Sequence, residues 1–315
     1  MTAVNGRTVL VALSLMSGVL LFYGFVTRIN IEFAYYNDNS KENTAKVDNN
    51  ENNNNNKVTV AQVVIPLEEI KAINRAKAVD PLLQESVAAD DGRLVQAIRD
   101  HFIDPPSKLQ IKMSNPLKKT PQAEAVEKVL NKKKRGFYIE CGALDGERSS
   151  NTLYFEREMN WNGILIEMDP SWYRQVEGKN RNAYSMNACL SPHAYPIKML
   201  FKESSEGTGQ LATKRSQHTK DVYCFPLLSV MLAMNQTHID YLSLDVEGFE
   251  LEILKTIPFD KLDITTFSVE FFHLVKGGKE DMINFMKNNG YDLHSTINTD
   301  KPVWARDYIF VKKSK

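Results

Sequence analysis

Cysteine is scarce in this chain: Cys141, Cys189 and Cys224 are the only three in 315 residues. They are scattered, and no CxxC spacing exists, so neither a disulfide framework nor a cysteine-built metal site can be read. One pair could close in an oxidising compartment, and the odd count leaves one over. An excess of charge is also missing, with 39 Lys+Arg against 39 Asp+Glu. That balance gives no footprint for nucleic acid and none for a generally basic membrane-binding face. The six histidines are dispersed and none pairs with an acid at ligand spacing, so no metal is expected. The glycine-containing stretch ECGALDGERSS lacks the lysine that a phosphate-cradling loop carries.

One long apolar run is present. From Thr8 to Thr27 (TVLVALSLMSGVLLFYGFVT) about 20 residues pass without a charge, enough to cross a hydrocarbon core near 30 Å thick. A cleaved signal peptide would have a shorter apolar core and a small-residue exit; here the chain continues RINIEFAYY. Arg7 and Arg28 flank the run, which weakens the positive-inside signal. The short N-terminal tail and the C-terminal bulk suit a signal anchor with a lumenal domain. Asn235-Gln236-Thr237 is compatible with that side as a glycosylation sequon. Residues 37 to 57 (NDNSKENTAKVDNNENNNNNK) are rich in Asn and nearly devoid of apolar side chains, too polar to offset the entropy of ordering. The expected organisation is a tail over 1–7, a transmembrane anchor over 8–27, a flexible stem over 28–79 and a folded domain over 80–315.

Within that domain, DDGRLVQAIRDHFI sets Leu94, Val95, Ile98, Phe102 and Ile103 at helical spacing, and PQAEAVEKVLNKK opens a second helix with Pro121. GFYIEC, NGILIEM and IDYLSLDV are short apolar runs bounded by turn residues, as buried parallel strands are. TTFSVEFF and DYIFVKK predict later strands, with EDMINFMKNNGY as a helix between them. Alternating strands and helices predict an α/β fold, a doubly wound and mostly parallel sheet behind an N-terminal transmembrane helix. Ligands in such sheets sit at the carboxyl ends of strands.

Acids gather at those ends. Glu140 closes the first strand, with Gly142, Asp145 and Gly146 in the loop that follows; Glu167 closes the second; Asp245 and Glu247 close a later one. Three acids interrupting an apolar strand in LDVEGFE is unusual, because desolvation excludes charge there. An acid at the second strand end can take a ribose hydroxyl pair. A ligand with a ribose, an amino group and a sulfonium but no phosphate suits this lining, and a pyrophosphate would be repelled. That favours S-adenosylmethionine over NAD. For methyl transfer to an oxygen, a base should take the proton; Asp245, Glu247 and His273 (in SVEFFHL, with Glu270) are the candidates. Glu250 faces the first turn of the following helix, where an acid suits the dipole.

ECGALDGERSSNT, ILIEMDP and LSLDVEGFELEIL resemble the motifs of FkbM-type S-adenosylmethionine-dependent methyltransferases: a D-x-G-x-x-D-G loop followed by S-N-T, an E-P strand end, and a D-x-E-G-x-E strand end. The resemblance covers roughly residues 125 to 312. It implies a class I methyltransferase sheet of Rossmann-like type and a cofactor held by Glu140, Gly142, Asp145, Gly146, Asn151, Glu167 and Asp245. Glu140 stands where Asp is commoner, EMDP departs from E-P-x-P, and the polar stretch over 202–222 does not align. DDGRLVQAIRDHFIDPPS and LDVEGFELEILKTIPFDKLDI, with the anchor, are similar to arthropod Star-like membrane proteins, which carry an FkbM-type domain. That narrower resemblance implies a single-pass protein of the endoplasmic reticulum and Golgi. Its partners would be the membrane and membrane-protein cargo, and its role the export of growth-factor precursors and growth-factor receptor signalling. The alternative is an active membrane-anchored O-methyltransferase acting on a small-molecule, glycan or lipid hydroxyl. Fold alone does not choose between them.

Overall fold

A computed structural model describes residues 9–11, 33–34, 63–202, 209–212, 214–274, 277–300 and 305–314. They fall into two compact units, Met1–Lys77 and Ala78–Lys315. In the first, β1 (Val9–Val11) pairs antiparallel with both β2 (Phe33–Ala34) and β3 (Val63–Ile65), and most of α1 (Leu67–Val79) follows. The anchor expected over 8–27 lies outside the described residues apart from β1, where Val9-Leu10-Val11 is extended rather than helical, as its β-branched valines favour. Among the described residues no helix is long and apolar enough to cross a membrane. Most of the stem also lies outside the described residues.

The second unit begins with α2 (Gly92–His101), β4 (Ile103–Asp104), α3 (Pro121–Val129), β5 (Phe137–Cys141), α4 (Leu153–Met159), β6 (Asn162–Ile166), α5 (Pro170–Gly178) and β7 (Tyr184–Met186). Asp91 caps α2 by accepting from the N–H of Arg93, Thr120 caps α3 from Ala123, and Asp169 caps α5 from Ser171, with Pro121 and Pro170 opening the last two. A smaller sheet of β8 (Cys189–Leu190), β9 (Ile197–Lys202), β10 (Gln210–Ala212) and β11 (Thr219–Phe225) comes next. The chain ends with α6 (Leu227–Ala233), β12 (His238–Leu244), α7 (Glu250–Thr256), β13 (Asp263–Glu270), α8 (Gly278–Asn288), β14 (Tyr291–Thr299) and β15 (Ala305–Lys312). Ile103, expected on the first helix, instead starts β4, because Phe102 already caps that helix and Pro105-Pro106 follows.

The main sheet has the order β14-β15-β13-β12-β5-β6-β7-β4. Its centre, β13-β12-β5-β6-β7, is parallel; β15 and β4 run antiparallel to it, and β14, paired antiparallel with β15, points the same way as the centre. Strands β6 and β7 add on one side of β5, while β12 and β13 add on the other. The winding therefore reverses between β5 and β12, and a crevice opens at their carboxyl ends. One face of the sheet packs Ile139, Ile164, Leu242 and Phe267 against the larger apolar cluster, and the other packs Tyr138, Leu165, Tyr241 and Ile309 with Trp161 and Phe155.

On that second face Arg181 is buried. Its Nε donates to Glu156 Oε2 at 2.7 Å, with both side chains 2 % exposed, and its guanidinium also donates to the Gly146 carbonyl and to the Tyr138 hydroxyl. This buried pair ties β5 and α4 to the loop that carries the site.

Candidate active site

Strand register places the functional residues side by side. Leu244 lies opposite Cys141, and Cys141 opposite Ile166, so Asp245, Gly142 and Glu167 leave the sheet together. The Asp245 N–H donates to the Cys141 carbonyl at 3.1 Å, and the Gly142 N–H to the Ile166 carbonyl at 3.0 Å. Gly142 is required here twice over: its φ is +87°, and a Cβ would sit 1.9 Å from the Asp245 carbonyl oxygen. The loop can thus cross tightly under the crevice.

Above it lies a cavity of about 390 Å³ lined by Gly142 to Leu144, Arg148 to Asn151, Glu167 to Asp169, Trp172 and Asp245 to Glu247, among others. Among the described residues that line it, five acids (Glu140, Glu167, Asp169, Asp245 and Glu247) face one basic side chain, Arg148. Arg148 stacks over the ring of Trp172, with Cζ 5.2 Å from its centroid.

Glu167 follows β6 directly and is buried. Its Oε2 accepts from the Leu144 N–H at 2.7 Å and its Oε1 from the Asp169 N–H at 2.8 Å, and the Met168 backbone N–H also points to this carboxylate. Burial pushes its carboxyl up to about 7, against the pull of those N–H groups, and the Asp169 charge adds to the rise.

Glu140 lines the same cavity, but its oxygens are engaged. They accept from the Ser150 hydroxyl, the Asn151 N–H and the Thr152 hydroxyl at 2.6–2.7 Å, and so hold the start of α4. Burial raises its pKa; Arg181 and these donors oppose the rise. Asn151 lines the cavity, donating to Ser243 Oγ at 3.0 Å and accepting from the Thr120 hydroxyl at 2.8 Å. Asp145 and Gly146 do not line it. The Asp145 side chain turns back to accept from the N–H groups of Glu147 and Arg148, and Gly146 has its Cα region against Val176. The glycine loop thus shapes the site through its backbone, and the acid within it closes a turn.

A second group of acids stands where β12 and β13 end. Leu244 and Val269 are in register, so Asp245 and Glu270 are neighbours. Burial, the charge of Asp307 and those of Glu247 and Glu250 push Asp245 far above the ordinary range; Glu270 rises through burial and the Asp245 charge. Glu247, with φ +60°, meets His273, whose Nε2 lies 2.6 Å from Glu247 Oε2. The structure therefore brings Asp245, Glu247 and His273 into one corner, while only Asp245 and Glu247 reach the cavity. Glu250 is buried in the first turn of α7, its carboxylate accepting from the N–H groups of Val246 and Gly248.

Sequence reasoning missed Trp172, Arg148 and Met168 in the cavity wall, and the disulfide between Cys189 and Cys224 beside it. The aromatic at the first turn after Asp169-Pro170 was the available signal for Trp172. No spacing rule could give the disulfide, which joins opposed residues of parallel strands β8 and β11. Cys141 is free and buried.

Residues 140–293 match the family model described as the methyltransferase FkbM domain. No curated protein matches the chain. Similar solved structures include methyltransferase FkbM from Methylobacillus flagellatus, at 12% identity and TM-score 0.40, covering 77% of this chain and 60% of that one. Another is 1,6-didemethyltoxoflavin-N1-methyltransferase from Burkholderia thailandensis with bound S-adenosylhomocysteine, at 9% identity and TM-score 0.34, covering 62% and 77%. A third is magnesium protoporphyrin IX methyltransferase from Synechocystis with bound S-adenosylmethionine, at 10% and 0.34, covering 61% and 79%.

Proposed function

We propose that the cavity between β5, β6 and β12 binds S-adenosylmethionine and that the domain directs its methyl group to a hydroxyl. The observation that carries this reading is Glu167: a buried carboxyl at the second strand end, held by the backbone N–H groups of Leu144 and Asp169 and lining the cavity. The volume falls within the range of about 300–1,000 Å³ usual for small-ligand pockets. The acid-rich lining suits a sulfonium and an ammonium and opposes a pyrophosphate.

Glu167 would accept from the ribose hydroxyls, Trp172 and Met168 would cover the base, and Asp245 would face the ammonium. The cofactor supplies an electrophilic methyl group on a sulfonium. The remaining work belongs to the protein: excluding water, aligning the acceptor and accepting its proton. Glu247, which lines the cavity, orients the His273 imidazole through Nε2, and this dyad would accept the proton. Glu167→Ala should abolish binding of S-adenosylhomocysteine while the circular dichroism of a folded protein is retained. Unchanged affinity would remove the assignment.

A second reading is favoured by the disulfide. Cys189 and Cys224 are joined, and such bonds persist in oxidising compartments; Asn235, Gln236 and Thr237 are all exposed. Both suit a lumenal domain, held to the endoplasmic reticulum or Golgi membrane by residues 8–27. There the domain would escort membrane-bound growth-factor precursors, as a Star-like protein would, with the methyltransferase fold serving cargo binding. Expressed in cells, the protein should carry a glycan at Asn235 that glycosidase removes and Asn235→Gln lacks; a wild-type protein without one would place the domain on the other side. Deleting residues 1–27 should stop cargo export, and full export by the truncated form would sink the escort role.

A further inference from the structure

The corner behind the cavity holds more negative charge than methyl transfer requires. Two of its acids are already compensated: Glu250 by the N–H groups of Val246 and Gly248, and Asp307 by the Gln122 amide at 2.7 Å. Glu247, Glu270 and His273 are arranged differently. One donor atom from each lies within 4.8 Å of the others, and Asp245 offers another within the same distance of Glu270. Glu270 Oε2 is buried without a hydrogen-bond donor. A buried carboxylate oxygen left unpaired among other carboxylates is costly, and a cation between them removes that cost.

We propose that Glu247, Glu270 and His273, with Asp245 on the cavity side, form a divalent-cation site. Carboxylate oxygens with a single imidazole make a hard-to-borderline donor set, which suits Mn²⁺ or Mg²⁺ and gives no preference for soft ions. The positions follow from the fold. Asp245 and Glu270 end adjacent parallel strands, Glu247 follows in the turn, and His273 comes three residues after Glu270. Sequence spacing conceals the set, because its members meet across two strands. Cation binding stands apart from cofactor binding; a role for the ion in holding the acceptor oxygen rests on the methyl-transfer reading.

The test is titration of the protein with Mn²⁺, free ion being followed by electron paramagnetic resonance, with no cofactor present. One saturable site is expected. Glu270→Gln and His273→Ala should each weaken it about tenfold or more, while Glu252→Gln, an exposed control on α7, should not. Mn²⁺ should also raise the melting temperature of the wild type, which reports on the site even if a variant folds poorly. No saturable binding, or binding that both variants leave intact, would overturn the proposal. A parallel metal-free titration with S-adenosylhomocysteine separates failure here from failure of the cofactor assignment.

Discussion

Replacing Glu167 by glutamine should change how the stability of this protein responds to pH. The carboxyl sits in a buried pocket wall, and its pKa rises from 4.5 to about 7 on folding. At roughly 1.4 kcal/mol per unit, that rise corresponds to about 3 kcal/mol. The folded state holds this proton more tightly than the unfolded chain does. The stabilisation is therefore complete below pH 4.5 and lost as pH rises through 7. Glutamine keeps the shape and accepts from one of the two N–H groups of Leu144 and Asp169, so it carries a fixed cost of about 1–3 kcal/mol for the other. Urea denaturation at several pH values between 4.5 and 8 measures the gap between wild type and variant. The gap should be widest at pH 4.5 and should narrow by about 3 kcal/mol by pH 8. A gap that stays constant across this window would refute the claim that Glu167 is buried and protonated on folding. A bound diol needs the ionised form, so cofactor affinity should rise with pH over the same interval, and that rise should vanish in the variant.

Two further predictions concern the frame of the site. Gly142→Ala would place a Cβ 1.9 Å from the Asp245 carbonyl at φ +87°; it should cost about 3 kcal/mol or more in thermal or urea unfolding and abolish cofactor binding, and near-wild-type behaviour would contradict the close approach. Arg181→Ala leaves the buried Glu156 carboxylate without its counter-charge, which should cost about 3–5 kcal/mol, whereas the double variant Arg181→Met/Glu156→Leu should recover much of that loss in the same denaturation assay.

The central strands were legible because parallel strands buried on both faces read as continuous apolar runs, as in FYIEC and YLSL. The acids at their ends were legible because desolvation makes them improbable there. Strand β14 was not: its side chains are mostly exposed, so no apolar run marks it. Asp145 shows how a motif acid can be recognised while its work is misassigned, since only backbone geometry reveals that it closes the loop rather than facing the cavity. Glu140 is similar, lining the wall yet fully occupied by residues 150–152. The grouping of Glu247, Glu270 and His273 depends on which strands are neighbours, which pattern alone does not give. The same holds for the Cys189–Cys224 bridge, which spans 35 positions of sequence.

The most direct test is calorimetric titration of the protein with S-adenosylmethionine and, side by side, with NAD⁺. The account predicts saturable micromolar binding of the first, about −8 kcal/mol, and no heat of binding for the second, whose pyrophosphate meets the acids of the crevice. Binding of NAD⁺, or no binding of S-adenosylmethionine by a folded sample, would contradict it.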